Sequence, residues 1–262
     1  MVRAMYSGVS GLKNHQTRMD VIANNIANVN TVAFKSSRVT FQDIYSQTIR
    51  PASQPDGIIG GTNPRQIGLG VTVGSIDTMF TQAGTQATGL NLDLAIDGNG
   101  FFVLSDGTRE FYSRAGGFEV DSEGMLVNAN GLYVQDVHGH DIDTSGLTGV
   151  TIDLNGRITG LDDDGEEFEI GFLGIAMFAN NNGLSKAGGN LYVETANSGE
   201  PNIVNCGEEG AGTLRSGELE LSNVDLSNEF TDMITTQRGF QANSRIITVA
   251  DSMLEELVNL KR

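Results

Sequence analysis

The feature that most limits how this chain can fold is a seven-residue spacing of apolar side chains at both of its ends. Near the start it runs Met5, Leu12, Met19, Ile26, and near the end Leu226, Met233, Phe240, Ile247, Leu254. A period of seven lays one apolar stripe along a helix, the pattern of helices that pair along a seam. Ile22 and Val29 each follow a member of the first series by three positions, and Val9 joins the same face. Ala250 and Leu257 fill the equivalent places in the second series, with Phe230 and Ile234 flanking it. The spacing predicts helices over about 3–29 and about 228–260, the second capped by Ser227 with Leu226 just outside. Gly8 and Gly11 cost the first helix about 1 kcal/mol each against Ala, which leaves it marginal alone. The second has no Pro and a single Gly, Gly239. Two arrangements satisfy such stripes: packing on a globular core, or pairing with each other and with further copies. The helices carry similar stripes at opposite chain ends, with little other apolar sequence beside them.

Between the two ends the pattern changes. Residues 31–70 mix TVAFKSSRVTFQDIYSQT with a stretch holding three of the four prolines, and read as an extended connector with turns. From 71 to 220 the period drops to two in segments such as VTVGSID, LDLAID, FFVL, FEVD, VTIDL and LYVET. DGNG, SDG, DSEG, NANG, VHGHD and DDDG separate them, which are strand and hairpin signals. Glycine supports the same reading: 34 of 262 residues is about 13%, nearly twice the usual share. The expected fold class is therefore α+β, with helices at the N- and C-terminal ends and a β-rich middle domain, and the stripes alone leave open whether the helices pair. The expected division is 1–30 plus 221–262 as the helical domain, 31–70 as the connector, and 71–220 as the β-rich outer domain.

Charge follows the same division. The formal net charge is −17. Residues 1–50 hold 6 basic and 2 acidic groups, 51–220 hold 6 and 25, and 221–262 hold 4 and 6. The acidity belongs to the middle, while the two ends are together near neutral. This balance argues against nucleic acid as a partner, since phosphates demand basic patches, and against an electrostatic anchor on anionic lipid. No apolar run reaches the ~18 residues needed to span a bilayer, so no membrane insertion is expected. The start of the sequence has no long apolar stretch of the secretory-signal kind. One cysteine, Cys206, cannot form an internal disulfide.

Chemical motifs are sparse. His138-Gly139-His140-Asp141 lies in a turn without further ligands at fixed spacing, and Asp162-Asp163-Asp164-Gly165 fails the EF-hand spacing at Gly160 and Gly171. Asp97-Gly98-Asn99-Gly100 is followed by a strand rather than by the helix a phosphate loop needs, and reads as a hairpin turn. No nucleophile elbow, zinc-protease pair or redox cysteine pair occurs, and Cys206 reads as an ordinary small side chain in a loop. Catalytic residues, a metal and a cofactor are therefore all expected to be absent. The most unusual string is Asn24-Asn25-Ile26-Ala27-Asn28-Val29-Asn30. Asn competes for backbone hydrogen bonds inside a helix but tolerates the left-handed conformation, so the string suits a helix terminator and turn.

At these residues the chain resembles a known family. DVIANNIANVNTVAFKSSRVTFQD, DLAIDGNGFFVL, YSRAGGFEVDSEGMLVN and the tail from GELELSNVDLSNEF to LVNLKR occur in the order of the flagellar rod–hook axial proteins, across nearly the whole length. The resemblance implies a non-enzymatic building block whose N- and C-terminal helices pair as a coiled coil, with the β-rich domain facing outward, and which polymerises with copies of itself into a helical tube. It implies neighbouring flagellar rod, cap and hook–filament junction proteins, export by the flagellar type III apparatus without a cleaved signal, and a place in the hook or basal body. Within the family the closing motifs are most similar to a short-form hook subunit, a flexible joint passing torque to the filament. A distal rod subunit, a rigid drive shaft with the same layout, is the alternative. The assembly contacts are assigned to Met5, Leu12, Met19, Ile26, Leu226, Met233, Phe240, Ile247 and Leu254, with Asn24, Asn25 and Asn28 at the turn. The sequence departs from the family at Ala33, where Gly is usual, and at Ala23, where Gly is frequent. A positive φ at position 33 would strain Ala.

Overall fold

Both heptad series lie in long helices: α1 spans Val2–Ala27 and α2 spans Leu226–Asn259. The cap of α2 is Asp225 rather than Ser227. Its Oδ1 accepts from Ser227 N at 2.9 Å and Asn228 N at 3.3 Å. A carboxylate at this position satisfies orphan donors and also opposes the positive end of the helix dipole, which a hydroxyl does not. Leu226 consequently opens the helix instead of preceding it.

In this computed structural model residues 2–55, 60–162 and 166–260 are described. Two units are distinguished: Met1–Ala27, Ser37–Thr78 and Asp225–Arg262 form the first, Asn28–Ser36 and Met79–Val224 the second.

In the helical unit α1 and α2 are in contact and antiparallel. Early residues of α1 meet late residues of α2: Gly8 lies beside Ile247, Gly11 beside Asn243, and His15 beside Gly239. Further along, Arg18 meets Asp232 and Asn25 meets Glu229. Four strands accompany the helices: β1 (Ser37–Asp43), β2 (Ser46–Arg50), β3 (Arg65–Gly68) and β4 (Val71–Thr78). β1 pairs antiparallel with β4, with a bulge at Thr40/Phe41, and β2 pairs with β3. The stretch read as a connector thus holds three strands, and β4 belongs with the helices rather than with the β-rich unit. Its partner lies some thirty positions away, so the alternation in SRVTFQD gave no local sign of pairing.

The β-rich unit is built around the strand Phe101–Ser105, every residue of which is buried. Phe102 and Leu104 point into one cluster, with Leu94, Ile96, Phe118 and Leu126. Phe101 and Val103 point into another, with Tyr112, Phe178 and Tyr192. The Phe102–Phe118 and Tyr112–Phe178 rings meet edge to face at 5.1 and 4.8 Å. FFVL is therefore a strand covered on both faces, not a half-buried strand of period two. A strand pairing Glu110–Ser113 flanks it on one edge, and Tyr133–Val134 and Ile175–Met177 share the other.

The turn Asp97–Gly100 is not a hairpin. Leu94–Asp97 pairs with Thr213–Ser216, while Phe101–Ser105 pairs elsewhere. Gly98 has φ +128°, and a Cβ there would lie 2.7 Å from Gly212 Cα, so only glycine fits. The 138–141 string is a turn organised by Asp136, whose Oδ1 accepts from His138 N and His140 N, each at 2.8 Å. Cys206 is buried in the larger cluster, where burial pushes its thiol up to about 12. Of the acidic run at 162–165, residues 163–165 lie outside the described residues.

Candidate assembly interface

The α1–α2 seam is narrower and more polar than the heptad stripes suggest. Buried in α1 are Gly8, Gly11, Asn14, Ile22 and Asn25, whereas Met5, Leu12, Met19 and Ile26 are half-buried at its margin. Buried in α2 are Thr236 and Ala250; Met233, Phe240, Ile247 and Leu254 are half-buried, and Leu226 is exposed. The centre of contact is rotated away from the apolar series because each glycine makes room for a side chain of the other helix. A Cβ at Gly11 would stand 2.7 Å from Asn243 Nδ2, and one at Gly239 would stand 2.6 Å from His15 Cε1. Glycines that weaken the isolated helix are thus the positions at which the helices approach closely.

A second set of apolar side chains on these helices faces solvent. Tyr6 is 70% exposed, Phe230 50%, Ile234 54% and Val258 66%. Ile246, Val249 and Met253 line an open apolar groove with Ala4 and Ala250. A single helix pair cannot cover two apolar faces at once, so these side chains stay in solvent.

The three asparagines assigned to the turn have different environments. Asn25 is buried and bridges three groups: Oδ1 accepts from Ser37 N at 3.0 Å, while Nδ2 donates to Ser37 O at 2.9 Å and Glu229 Oε1 at 3.0 Å. It fastens the end of α1 to the start of β1 and to the first turn of α2. Burial raises the Glu229 carboxyl above its ordinary value, and the Asn25 bond partly offsets this. Asn28 closes the turn after α1, its carbonyl accepting from Thr31 N at 3.1 Å. Asn24 is exposed on the helix surface. Ala33 does adopt φ +55°, and it is 2% exposed. The strain anticipated for Ala at that position is present.

The β-rich unit also holds a buried ion cluster that no local motif signals. Lys35 Nζ lies 2.6 Å from Glu220 Oε1, and Arg114 Nη1 lies 3.3 Å from Glu220 Oε2; Lys35 and Glu220 are wholly buried. Lys35 also donates to Thr81 O at 2.9 Å, Arg114 to Gly98 O at 2.6 Å, and Ala83 N to Glu220 Oε1 at 3.1 Å. Ala33 N bonds Glu220 O at 2.8 Å. Burial pulls the Lys35 ammonium below its ordinary value, and the Glu220 charge draws it back up. Lys35 and Glu220 are 185 positions apart, so no local pattern pairs them.

Three family descriptions match successive parts of the chain. "Flagella basal body rod protein" covers 5–35, "Flagellar hook protein FlgE/F/G D1 domain" covers 95–160, and "Flagellar basal body rod FlgEFG protein C-terminal" covers 215–260. The flagellar basal-body rod protein FlgG of Bacillus subtilis is 52% identical over 264 residues, covering 100% of both chains. The flagellar hook protein FlgE of Borreliella burgdorferi is 32% identical over 441 residues, again covering both chains fully. The FlgG of the same organism is 38% identical over 277 residues and covers both chains fully. This chain belongs to the flagellar rod–hook axial protein family. Its relatives are structural parts of the flagellum rather than enzymes.

Proposed function

We propose that this chain is a rod subunit of the flagellar basal body, polymerising with copies of itself and with neighbouring axial proteins. The observation that carries this reading is the end-to-end likeness to a rod protein at 52% identity with almost no difference in length. The hook relatives align over 441 and 463 positions against the 262 residues of this chain, so long stretches of those proteins have no counterpart here. The rod reading is therefore better supported than the short-form hook reading, although the closing motifs resemble both.

In this role the terminal helices pair as a coiled coil and supply the assembly contacts. The half-buried residues Met5, Leu12, Met19, Ile26, Met233, Phe240, Ile247 and Leu254, with exposed Leu226, offer their outer faces to neighbouring copies. Asn24, Asn25 and Asn28 shape the turn that joins this surface to the β-rich unit. An amphipathic helix gains most of its stability from tertiary packing, so these helices gain order on incorporation. Export through the flagellar type III apparatus, without a cleaved signal, belongs to the same reading.

The test is position in an isolated basal body. An epitope placed at the 162–165 stretch and imaged by electron microscopy is expected inside the outermost ring. Label found only beyond that ring would replace the rod reading with the hook reading.

A further inference from the structure

The seam between α1 and α2 holds three polar side chains with buried atoms that have no hydrogen-bond partner: Asn14 Nδ2, His15 Nδ1 and Thr236 Oγ1. Only the histidine changes charge between pH 5 and 8. Its ring sits directly on the α2 backbone, since a Cβ at Gly239 would fall 2.6 Å from Cε1 and 2.7 Å from Nε2. On the β1 side it meets Phe41 edge to face, with ring centroids 6.0 Å apart and planes at 74°. Neither neighbour titrates. The charged group acting on the ring is Arg18, one turn further along α1, which Asp232 of α2 holds at 2.9 Å.

A neutral imidazole suits this site. An imidazolium does not: its Nδ1–H would be a buried donor without an acceptor, and its charge would stand beside Arg18. Burial first, and Arg18 second, hold the His15 pKa below its ordinary value.

We propose that His15 is a proton-sensitive latch of the α1–α2 pair, seated and closed when neutral and open when protonated. A histidine disfavoured as its cation in the folded state contributes stability that is complete above its ordinary pKa of about 6.5. That contribution is lost progressively as pH falls below that value. Glu229, a second titratable group of the seam, acts in the opposite direction. Burial raises the Glu229 carboxyl, so taking up a proton there relieves a cost as pH falls. Opening in mild acid is therefore a property of His15 and not of Glu229. His138 and His140 belong to the β-rich unit and do not line the seam.

The experiment uses the full chain with Cys206→Ala and spin labels at Gln16→Cys and Gln241→Cys, two exposed positions on α1 and α2. Pulsed electron paramagnetic resonance then reads the closed and open populations between about pH 8 and about pH 5.5. The closed-to-open ratio is expected to fall across that range, by up to about tenfold for each unit by which the pKa is depressed. His15→Gln should flatten the profile, and Glu229→Gln should leave the fall in place. An unchanged wild-type ratio, an undiminished fall in His15→Gln, or loss of the fall in Glu229→Gln overturns the proposal. If His15→Gln is open at every pH, the NMR titration of the wild-type His15 Cε1–H decides. A midpoint below about 6.5 supports the latch, and one at or above it refutes the latch.

Discussion

The two units differ most in what they manage to bury. In the β-rich unit both faces of Phe101–Ser105 are covered, and Leu94, Ile96, Leu126, Ile158, Leu173 and Leu214 have no exposed surface. In the helical unit, among the described residues, only Ile22 and Ala250 of the apolar side chains are fully buried. The other buried residues of its seam are glycines, asparagines and a threonine, while Phe230, Ile234 and Val258 face solvent. Burial of apolar area is the main favourable term in folding. The β-rich unit satisfies it within one chain, and the helical unit leaves several large apolar side chains in solvent. One unit is organised around a covered core, and the other keeps large apolar side chains in solvent, as the proposed assembly role requires.

The sharpest way to break this contrast is Ile247→Asp. A carboxylate on the apolar stripe should abolish polymerisation while the thermal transition of the β-rich unit stays in place. A loss of even ~3 kcal/mol per contact corresponds to a threshold concentration raised about a hundredfold. Sedimentation and calorimetry on the same sample read both halves of the prediction, and normal tubes from the variant would refute the interface. Phe240→Ala should act in the same direction with a smaller effect.

Glu220→Ala probes the other side of the comparison. It strands Lys35 and Arg114 as buried cations, which should cost the β-rich unit about 3–5 kcal/mol. At roughly 2–4 °C per kcal/mol for a unit of this size, its transition should drop by about 10 °C. A shift of a degree or less would mean that the cluster is solvated in solution. Asn25→Ala is expected to cost about 1–3 kcal/mol by leaving Ser37 and Glu229 without their buried partner. The readout is faster hydrogen exchange at the end of α1 and the start of β1, with the strand Phe101–Ser105 unaffected.

The smallest expected effect belongs to Ala33→Gly. Leaving the left-handed region unstrained recovers about 1–2 kcal/mol. The extra freedom of glycine in the unfolded chain takes back about 0.4–1 kcal/mol. A net gain of about 0.5 kcal/mol should appear as a slightly higher midpoint in paired scans. A clear loss would show that the buried methyl of Ala33 contributes more by packing than it costs in strain.

Much of this organisation was legible in the residues. Both helices and the β-rich middle followed from periodicity and turn signals, and the family from motif strings in order, because those are local properties of the chain. The misplaced features have two causes, one local and one tertiary. The cap moved from Ser227 to Asp225 because the helix begins two residues earlier, where the carboxylate accepts from Ser227 N and Asn228 N. The Asp97–Gly100 turn failed as a hairpin because the strand before it found its partner at Thr213–Ser216. The connector proved to hold strands because β1 pairs with β4 across the intervening hairpin. The glycines of α1 were legible as weak helix formers but not as the place where α2 comes close.

The sequence by itself determined where the chain is helical and where it is extended, which part carries the −17, and to which family it belongs. Those depend on spacing, composition and motif order, which tertiary contacts do not alter. Only the tertiary structure decided that Lys35, Arg114 and Glu220 share one buried cluster, that Asn25 joins α1, β1 and α2, and that His15 rests on Gly239. Each of these contacts joins residues far apart along the chain. Their energies depend on desolvation and close approach, which exist only once the chain has folded.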